Sequence, residues 1–384
     1  MKRDTLLIVT TSYPQRGDGS EAAGAFVADF AQAMAEHVPV RVVAPGGVSS
    51  ADVERGDISV HRYSSPGRPL SLLSPLRPTD WPAIMGTLRS LRAQTLAAAD
   101  DGRVAHTLAL WALPSGWAAT ALQREQGVPY SVWVLGSDIW SLGRIPGVRS
   151  MLRRVIRGAT NRFADGLQLA VDAAAIGGKP FEFLPSTRRL DGQRNRPLAS
   201  APPYRLLFLG RWHPNKGIDL LLQSLALLDE ASWSAIQDVH IAGGGPMEDI
   251  VRQRVAGLQS LGRPIRLSGF LDRVQATAAL SDADYLLIPS RIESIPVVFS
   301  DAMKMQLPVV SMPVGDLPAL VRRHAVGTIA TGVDAAAFAD AVRRTLTRSP
   351  SDFSSGMLAC CRDFLIDPRL LCSKLGLEPG RAGK

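Results

Sequence analysis

Short apolar runs alternate with stretches of helical periodicity along most of the chain. The pattern predicts strands at Leu6–Thr10, Val40–Val43 and Ser131–Val134, each rich in β-branched or aliphatic residues. Gly24 opens G-A-F-V-A-D-F-A-Q-A-M-A-E, whose large apolar residues recur at helical spacing, and a basic stretch over residues 150–162 predicts a further helix. Strands that alternate with helices are typical of a parallel, doubly wound α/β sheet.

A polar, proline-rich segment near residue 200 divides this pattern in two. We predict an N-terminal Rossmann-like domain over 1–190, a linker over 191–204, a second Rossmann-like domain over 205–353, and a C-terminal helix and tail over 354–384 that cross back onto the first domain. Beyond the linker the apolar runs predict strands at Leu206–Leu209, Val239–Ala242, Ile265–Leu267, Tyr285–Pro289 and Val309–Ser311, and helices at Ile218–Leu228 and Met247–Gln259. The predicted fold class is therefore α/β, with two doubly wound domains facing a cleft.

Composition indicates a soluble globular protein. The 384 residues are 46% hydrophobic and 20% charged, which is enough apolar content for two cores. The net charge of +8 suggests a polyanionic partner, such as an acidic membrane surface or a diphosphate ligand. Nucleic acid is the competing explanation, but the sequence has no helix-turn-helix, zinc-finger or aromatic-basic RNA motif, so no nucleic-acid partner is expected.

The cysteines and the N-terminus bear on the compartment. Three cysteines lie near the C-terminus, and their odd number argues against a disulfide framework and favours a reduced, cytoplasmic protein. They lack the spacing of zinc ligands, so no metal is expected. The first apolar run is too short for a signal peptide, and no run reaches the ~18 residues of a membrane span. Membrane contact would then be peripheral, on the inner face.

A basic turn follows the first strand of the second domain. The sequence G-R-W-H-P-N-K-G places Gly210, Arg211 and Lys216 just before the helix predicted from Ile218. A helix N-terminus with two cations beside it is a typical phosphate site, although a solvated turn is the alternative. Further along, A-G-G-G-P places Gly244 in a strand-to-helix turn without the G-x-G-x-x-G spacing, so a structural turn is as good an explanation as a ligand loop.

Two carboxylates, Glu293 and Asp301, frame E-S-I-P-V-V-F-S-D at the end of another predicted strand. Ser294 and Ile295 follow the first carboxylate, and their backbone N–H groups are available to a phosphate. Asp301 is predicted to open a helix, where capping is the alternative role. Cations and carboxylates at neighbouring strand ends suit a ligand with a central diphosphate and hydroxyl-rich groups on either side, which is the layout of a nucleotide sugar.

The first domain offers weaker candidates. Gly24 is predicted to precede a helix N-terminus, where its amide would contact a phosphate. On the acceptor side we place Trp111 and Ser115, in W-A-L-P-S-G-W, and Asp138, in L-G-S-D, because both segments lie at predicted strand ends. A buried aromatic turn is the alternative for the first segment. The sequence has no nucleophile elbow and no kinase signature.

These motifs resemble those of the retaining glycosyltransferases of family four, which have the two-domain GT-B fold. The resemblance is specific over residues 205–320, through G-R-W-H-P-N-K-G, A-G-G-G-P and P-S-R-I-E-S-I-P-V-V-F-S-D-A-M-K-M-Q-L-P-V-V. It implies that Arg211 and Lys216 bind the donor diphosphate, that Glu293 contacts the sugar, and that Asp301 contacts the ribose. It also implies that Glu293, Arg211 and Lys216 are the catalytic residues and that no metal or cofactor is required.

Three positions depart from the family pattern: Asp301 replaces a glutamate, Leu135 stands where a histidine is common, and Ala319 replaces a glutamate. We expect transfer of a sugar from a UDP- or GDP-linked donor to a glycan or lipid-linked hydroxyl, as in bacterial envelope or exopolysaccharide synthesis. The alternatives are a donor-binding partner protein with impaired catalysis and a sugar-nucleotide epimerase.

A peripheral membrane contact is also expected. The stretch from Arg144 to Arg162 holds six arginines and no acidic residue, and the Pro69–Pro78 segment offers several leucines, including Leu76. Such a combination favours attachment to an anionic membrane. A solvated basic helix is the alternative.

Overall fold

The computed structural model describes residues 3–15, 21–47, 50–53, 58–65, 70, 73–190, 194 and 196–378. The chain forms two compact units, of which unit 1 comprises Met1–Pro185 with Ile366–Lys384 and unit 2 comprises Ser186–Leu365. Among the described residues, no helix has the length and apolar character needed to cross a membrane.

Unit 1 contains an eight-stranded sheet in the order β3-β4-β2-β1-β5-β6-β7-β8, in which only β3 runs antiparallel to its neighbour. Its strands are β1 Thr5–Val9, β2 Val40–Gly46, β3 Ser50–Val53, β4 Ile58–Ser64, β5 Val104–Leu110, β6 Tyr130–Val134, β7 Arg162–Ala164 and β8 Glu182–Phe183. The central strands are apolar on both faces because helices cover both sides of a parallel sheet.

The helices of unit 1 pack around this sheet. They are α1 Glu21–Ala35, α2 Trp81–Ala97, α3 Ser115–Gln126, α4 Ser137–Trp140, α5 Pro146–Gly158 and α6 Leu167–Gly177, with 3-10 turns at Pro78–Asp80 and Leu142–Arg144. The strand order reverses direction between β1 and β5. In open α/β sheets this switch point is where ligands usually bind, outside the carboxyl ends of the strands.

Unit 2 contains a six-stranded sheet in the order β11-β10-β9-β12-β13-β14, and every pair is parallel. The strands are β9 Tyr204–Leu209, β10 Ile236–Ala242, β11 Ile265–Ser268, β12 Tyr285–Ile288, β13 Val309–Ser311 and β14 Gly327–Ile329. The helices are α7 Ile218–Ala226, α8 Glu230–Ser234, α9 Glu248–Ser260, α10 Arg273–Asp282, α11 Val297–Lys304, α12 Leu317–His324, α13 Ala335–Leu346 and α14 Ser354–Arg362, with 3-10 turns at Pro214–Lys216 and Pro350–Phe353. Here the switch point lies between β9 and β12.

Three predicted helix boundaries were wrong. The basic helix was predicted over 150–162, but α5 begins at Pro146, where proline suits the first turn, and it ends at Gly158, so Arg162 lies on β7. Gly24 does not precede α1 but lies in its first turn. Asp301 does not open a helix, because α11 begins four residues earlier, after Pro296.

The C-terminal segment is divided between the units. Helix α14 belongs to unit 2. The helical structure is interrupted after α14, and the next helix, α15, spans Pro368–Lys374 in unit 1. Leu371 of α15 and Leu375, directly after α15, are buried in the unit 1 core, and Asn161 donates a 3.0 Å hydrogen bond to the Lys374 carbonyl. The predicted linker 191–204 lies within unit 2, although residues 191–193 and 195 are outside the described part of the chain.

Candidate functional site

The loops after β9 and β12 meet at the switch point of unit 2. Lys216, from the β9 loop, donates a hydrogen bond to Oε1 of Glu293, from the β12 loop, and Ser290 donates a 3.0 Å bond to the same oxygen. The Glu293 side chain is 11% exposed and that of Lys216 is 37% exposed. Two residues that the sequence singled out separately therefore form one half-buried ion pair.

Arg291 fixes the geometry of this pair. Its guanidinium donates two hydrogen bonds to the Asp219 carboxylate, at 2.7 and 2.6 Å, and a third of 2.6 Å to the Pro214 carbonyl. Its backbone N–H donates to the Asn215 carbonyl at 2.8 Å. The hydrogen bonds from the Arg291 guanidinium lower the pKa of Asp219. Arg291, in the loop after β12, therefore bonds to the chain before Lys216, at Pro214 and Asn215, and after it, at Asp219.

Two glycines bring the backbones of this edge together. Gly217 has φ +68°, and an added Cβ there would overlap the Pro289 carbonyl. Gly243, in the A-G-G-G-P turn after β10, has φ +148°, and an added Cβ would overlap the Gly210 carbonyl. In the same turn Gly244 accepts a 2.8 Å hydrogen bond from the buried Trp212. Close backbone packing therefore accounts for these glycines.

The β12 loop presents unpaired donors. Neither the Ser294 nor the Ile295 backbone N–H donates a hydrogen bond to another described residue. The buried Ser294 hydroxyl also has no partner among those residues. The Ser294 carbonyl accepts a 3.2 Å bond from Asp316, which anchors the loop to the chain after β13. Buried polar groups without partners are rare in folded proteins, so these donors are open to a ligand.

Arg211 makes the same edge electropositive. It is exposed, and its guanidinium forms no hydrogen bond or ion pair with any residue that the structure describes. Burial together with the charges of Arg211 and Lys216 lowers the pKa of His213, which lies between them. Free positive charge beside unpaired amides is an arrangement that binds anions.

Asp301 lies apart from this cluster, in the second turn of α11. Its side chain is 2% exposed and forms a 3.2 Å ion pair with Arg188, whose side chain is 14% exposed. Lys304 of the same helix donates hydrogen bonds to Thr187 and to the Arg188 carbonyl. Helix α11 therefore holds the segment at the start of unit 2, and the predicted ribose contact of Asp301 stays a prediction.

The predicted acceptor residues lie after two neighbouring strands of unit 1, Trp111 and Ser115 after β5 and Asp138 after β6. Asp138 is fully buried and accepts hydrogen bonds from the backbone N–H groups of Ala112, at 2.7 Å, and Leu135, at 3.3 Å. Burial raises its pKa to about 6, although these bonds oppose the shift. Asp138 thus joins the loops after β5 and β6. Ser115 is also fully buried, and its hydroxyl has no hydrogen-bond partner among the described residues.

Trp111 and Gly24 occupy neighbouring parts of unit 1. Trp111 is half-buried with φ 64°, and its ring packs edge-on against Phe26 of α1, with centroids 6.3 Å apart. An added Cβ at Gly24 would approach the Tyr13 Cα to 2.5 Å, so the glycine lets α1 pack on the loop after β1. Leu135 is half-buried and packs against the hydrophobic core cluster of unit 1 that Trp111 and Phe26 also contact.

Residues 203–348 match the family described as Glycosyl transferases group 1. A D-inositol 3-phosphate glycosyltransferase of Thermomonospora curvata is 31% identical over 150 residues, which are 37% of this chain and 34% of that protein. A putative colanic acid biosynthesis glycosyltransferase, WcaL of Escherichia coli, is 30% identical over 147 residues, 37% of this chain and 36% of that protein. The chain thus spans about a third of the length of these relatives.

Solved structures extend the comparison beyond residues 203–348. Sucrose-phosphate synthase from Thermosynechococcus elongatus has a TM-score of 0.70 at 17% identity, and Anabaena HepE in complex with UDP and glucose has 0.68 at 14%. Each alignment covers 97% of this chain and 98% of the other. The predicted GT-B class, with two parallel-sheet α/β units, is confirmed.

Sequence reasoning missed the residues that position the cluster. Arg291 was part of the quoted P-S-R-I-E motif, but its partner Asp219 lies 72 positions earlier. Trp212 belongs to the motif G-R-W-H-P-N-K-G, but no role was predicted for it. The described residues hold no group of three or more His, Cys, Asp or Glu placed to bind a metal, and independence from metal stays a prediction.

Proposed function

We propose that this protein transfers a sugar from a nucleoside diphosphate sugar to a hydroxyl of a glycan or lipid-linked acceptor, with retention at the anomeric carbon. The observation that carries the proposal is at the β9/β12 switch point, where Lys216 is paired with Glu293 and the same two loops carry Arg211 and the unpaired Ser294 and Ile295 amides. This is the place where an α/β sheet offers a ligand site, and the charges suit a diphosphate with a sugar beside it.

The diphosphate is the leaving group, and negative charge develops on it as the sugar departs. Lys216 and Arg211 stabilise that charge, and the Ser294 and Ile295 amides at the start of α11 add two donors. Arg291 keeps the Lys216 turn in place before the donor binds, so little reorganisation is needed during the reaction. Glu293 then exchanges its bond to Lys216 for hydrogen bonds to sugar hydroxyls, and Asp301 is assigned to the ribose.

A uridine or guanosine diphosphate donor is proposed, without a metal or cofactor. The HepE structure contains UDP and glucose, which supports a uridine nucleotide in this fold. The relatives act in D-inositol 3-phosphate glycosylation and in colanic acid biosynthesis, according to their names, which supports an acceptor in envelope or exopolysaccharide chemistry. The acceptor is assigned to unit 1, where Trp111 is half-buried.

A donor panel tests the proposal. The purified protein is incubated with UDP-glucose, UDP-galactose, UDP-N-acetylglucosamine and GDP-mannose, and the released nucleoside diphosphate is measured with and without a membrane glycolipid extract. We expect one donor to be consumed faster by wild type than by Lys216→Ala. Release from no donor, or equal release by the variant, contradicts the proposal.

A second candidate is a donor-binding partner protein without catalysis. It is favoured by Leu135, which stands in the core of unit 1 where the resemblance implies a histidine. This candidate predicts nucleotide binding with no donor consumption under any acceptor, so the same panel, paired with calorimetry, separates the two.

A further inference from the structure

A cavity of about 850 Å³ lies beside β14, the edge strand of the unit 2 sheet. Its walls come from α12, β14, the end of α13 and the chain that follows α13. Val321, Ile329 and Phe353 supply much of its apolar wall. This volume falls in the range of small-molecule sites, about 300–1,000 Å³. None of the residues at the β9/β12 switch point lines it, so it is a separate site.

Three arginines line this cavity, and no acidic residue does. Arg344 is paired with Asp340 at 2.9 Å and donates to the Ile329 carbonyl at 3.1 Å. Arg348 lies over the Phe353 ring, 4.2 Å from its centroid, with Asp352 at 3.8 Å. The cavity therefore has a positive rim that its two neighbouring carboxylates neutralise only in part.

Arg322 is the arginine left without a counter-ion. Its Nε donates a 2.9 Å hydrogen bond to the Pro318 carbonyl, one turn earlier on α12, and this holds the side chain in place. It forms no ion pair with any described residue. The two terminal nitrogens of a guanidinium form a planar fork that matches a carboxylate, sulfonate or phosphate.

We propose that this cavity binds a small organic anion. The apolar body of the ligand packs on Val321, Ile329 and Phe353, and Arg322 holds its anionic group. A neutral apolar ligand would leave the Arg322 guanidinium without an anionic partner. A bare inorganic anion would leave the apolar wall exposed to water, so the pairing of the two features selects a ligand that has both.

Two dyes that share one aromatic body test this proposal on the full-length protein without nucleotide. 1-Anilinonaphthalene-8-sulfonate carries an anionic group, and N-phenyl-1-naphthylamine lacks it. We expect saturable 1:1 fluorescence enhancement with the sulfonate dye. The neutral dye should bind at least about tenfold more weakly, and sulfate, tested as a competitor, should also bind at least about tenfold more weakly than the sulfonate dye. Displacement by phenyl phosphate would identify a compact anion, and displacement by decyl phosphate alone an acyl-chain anion.

Matched variants locate the bound dye. Arg322→Gln should weaken sulfonate binding about tenfold, and Thr331→Trp, at an exposed position of the cavity wall, should block it. Arg323→Gln is the control, because it removes the neighbouring charge on α12 but does not line the cavity. Equal affinity for both dyes, or the same affinity in the Arg322 and Arg323 variants with unchanged melting temperatures, would overturn the proposal. The outcome does not depend on glycosyl transfer.

Discussion

Lys216 donates a hydrogen bond to Glu293, and this bond joins the loop after β9 to the loop after β12 at the switch point of unit 2. The pair places a cation beside a carboxylate, and the proposed function assigns the cation to the diphosphate of a nucleotide sugar and the carboxylate to its sugar. Without a ligand the two charges compensate each other, and the Glu293 side chain is 11% exposed. In the proposed function, a bound diphosphate takes over Lys216 and frees Glu293 for the sugar.

Arg291→Lys should weaken nucleoside diphosphate binding, although Arg291 is not expected to touch the ligand. An ammonium group cannot reproduce the two-pronged bond to Asp219 together with the bond to the Pro214 carbonyl, so the Lys216 turn loosens. We expect a loss of about 1 kcal/mol, or roughly fivefold in Kd, by calorimetry. Arg252→Lys, in an exposed pair on α9, is the control. Equal affinity in both variants would remove the positioning role.

The two carboxylates should respond differently to amide substitution. Glu293→Gln should reduce sugar transfer while the melting temperature and the affinity for free nucleotide change little, because its assigned partner is the sugar. Asp301→Asn should weaken nucleotide binding and also destabilise unit 2 by about 3 kcal/mol, because it leaves the nearly buried Arg188 without its counter-ion. Denaturant unfolding and calorimetry on both variants check this. A stable Asp301 variant with unchanged nucleotide affinity contradicts both parts.

The stability of unit 1 should fall in mild acid because of His106. Burial lowers its pKa to about 4. Asn161 donates twice to the Ser131 hydroxyl oxygen, which leaves the Ser131 proton for Nε2 of His106, 2.8 Å away, and requires a neutral ring. The unfolded state binds the proton near pH 6.5, so this stabilisation is present above pH 6.5 and is lost as the pH falls toward 4.

The loss should reach about 3 kcal/mol, since each pKa unit corresponds to 1.36 kcal/mol. Thermal unfolding of wild type and His106→Gln at pH 7 and pH 5 measures the part of this loss that falls between those two pH values, about 2 kcal/mol. The variant, whose side-chain oxygen still accepts from Ser131, should lose less stability on acidification than wild type. His37→Gln is the control and should keep the wild-type pH dependence. The same acid sensitivity in all three proteins would contradict the assignment.

Binding to anionic membranes is predicted for unit 1. Arg144 and Arg154 are exposed, and their side chains form no hydrogen bond or ion pair with a described residue. The predicted insertion segment Pro69–Pro78 lies partly outside the described residues, but Leu76 is 72% exposed and Trp81, at the start of α2, is 56% exposed.

Liposome sedimentation checks this prediction. Arg144→Glu/Arg154→Glu should release the protein from anionic liposomes, at about 1 kcal/mol for each basic residue removed, and salt should have the same effect. Trp81→Ala should weaken the part of the liposome binding that high salt does not remove. Arg323→Glu, in unit 2, should have no effect. Equal recovery on neutral liposomes would contradict the electrostatic claim.

The sequence predicted the strands of unit 2 well because buried parallel strands are continuous apolar runs. Val309–Ser311 was predicted with its observed bounds, and Tyr285–Pro289 to within one residue. Strand β5, Val104–Leu110, was not predicted. Its polar residues His106 and Thr107 interrupt the run, yet both are buried, and His106 has a hydrogen-bond partner on the next strand.

The candidate site was predictable in its chemistry and not in its contacts. The motifs identified Lys216 and Glu293, but nothing in their local sequence shows that they pair across 77 positions. Asp301 was predicted to open a helix, but α11 begins four residues earlier, at Val297, directly after Pro296. Its pairing with Arg188 depends on how the two segments pack, which local propensity does not determine.

The central claim is that the β9/β12 switch point binds a nucleoside diphosphate. Calorimetric titration of wild type, Arg211→Ala, Lys216→Ala and the control Lys179→Ala with UDP and GDP tests it most directly. Each site substitution removes a charge-assisted contact of about 1.5–3 kcal/mol, so we predict that one nucleotide binds wild type and the control equally and binds the two site variants about tenfold to a hundredfold more weakly. Wild-type affinity in both site variants, with their melting temperatures unchanged, would contradict the account.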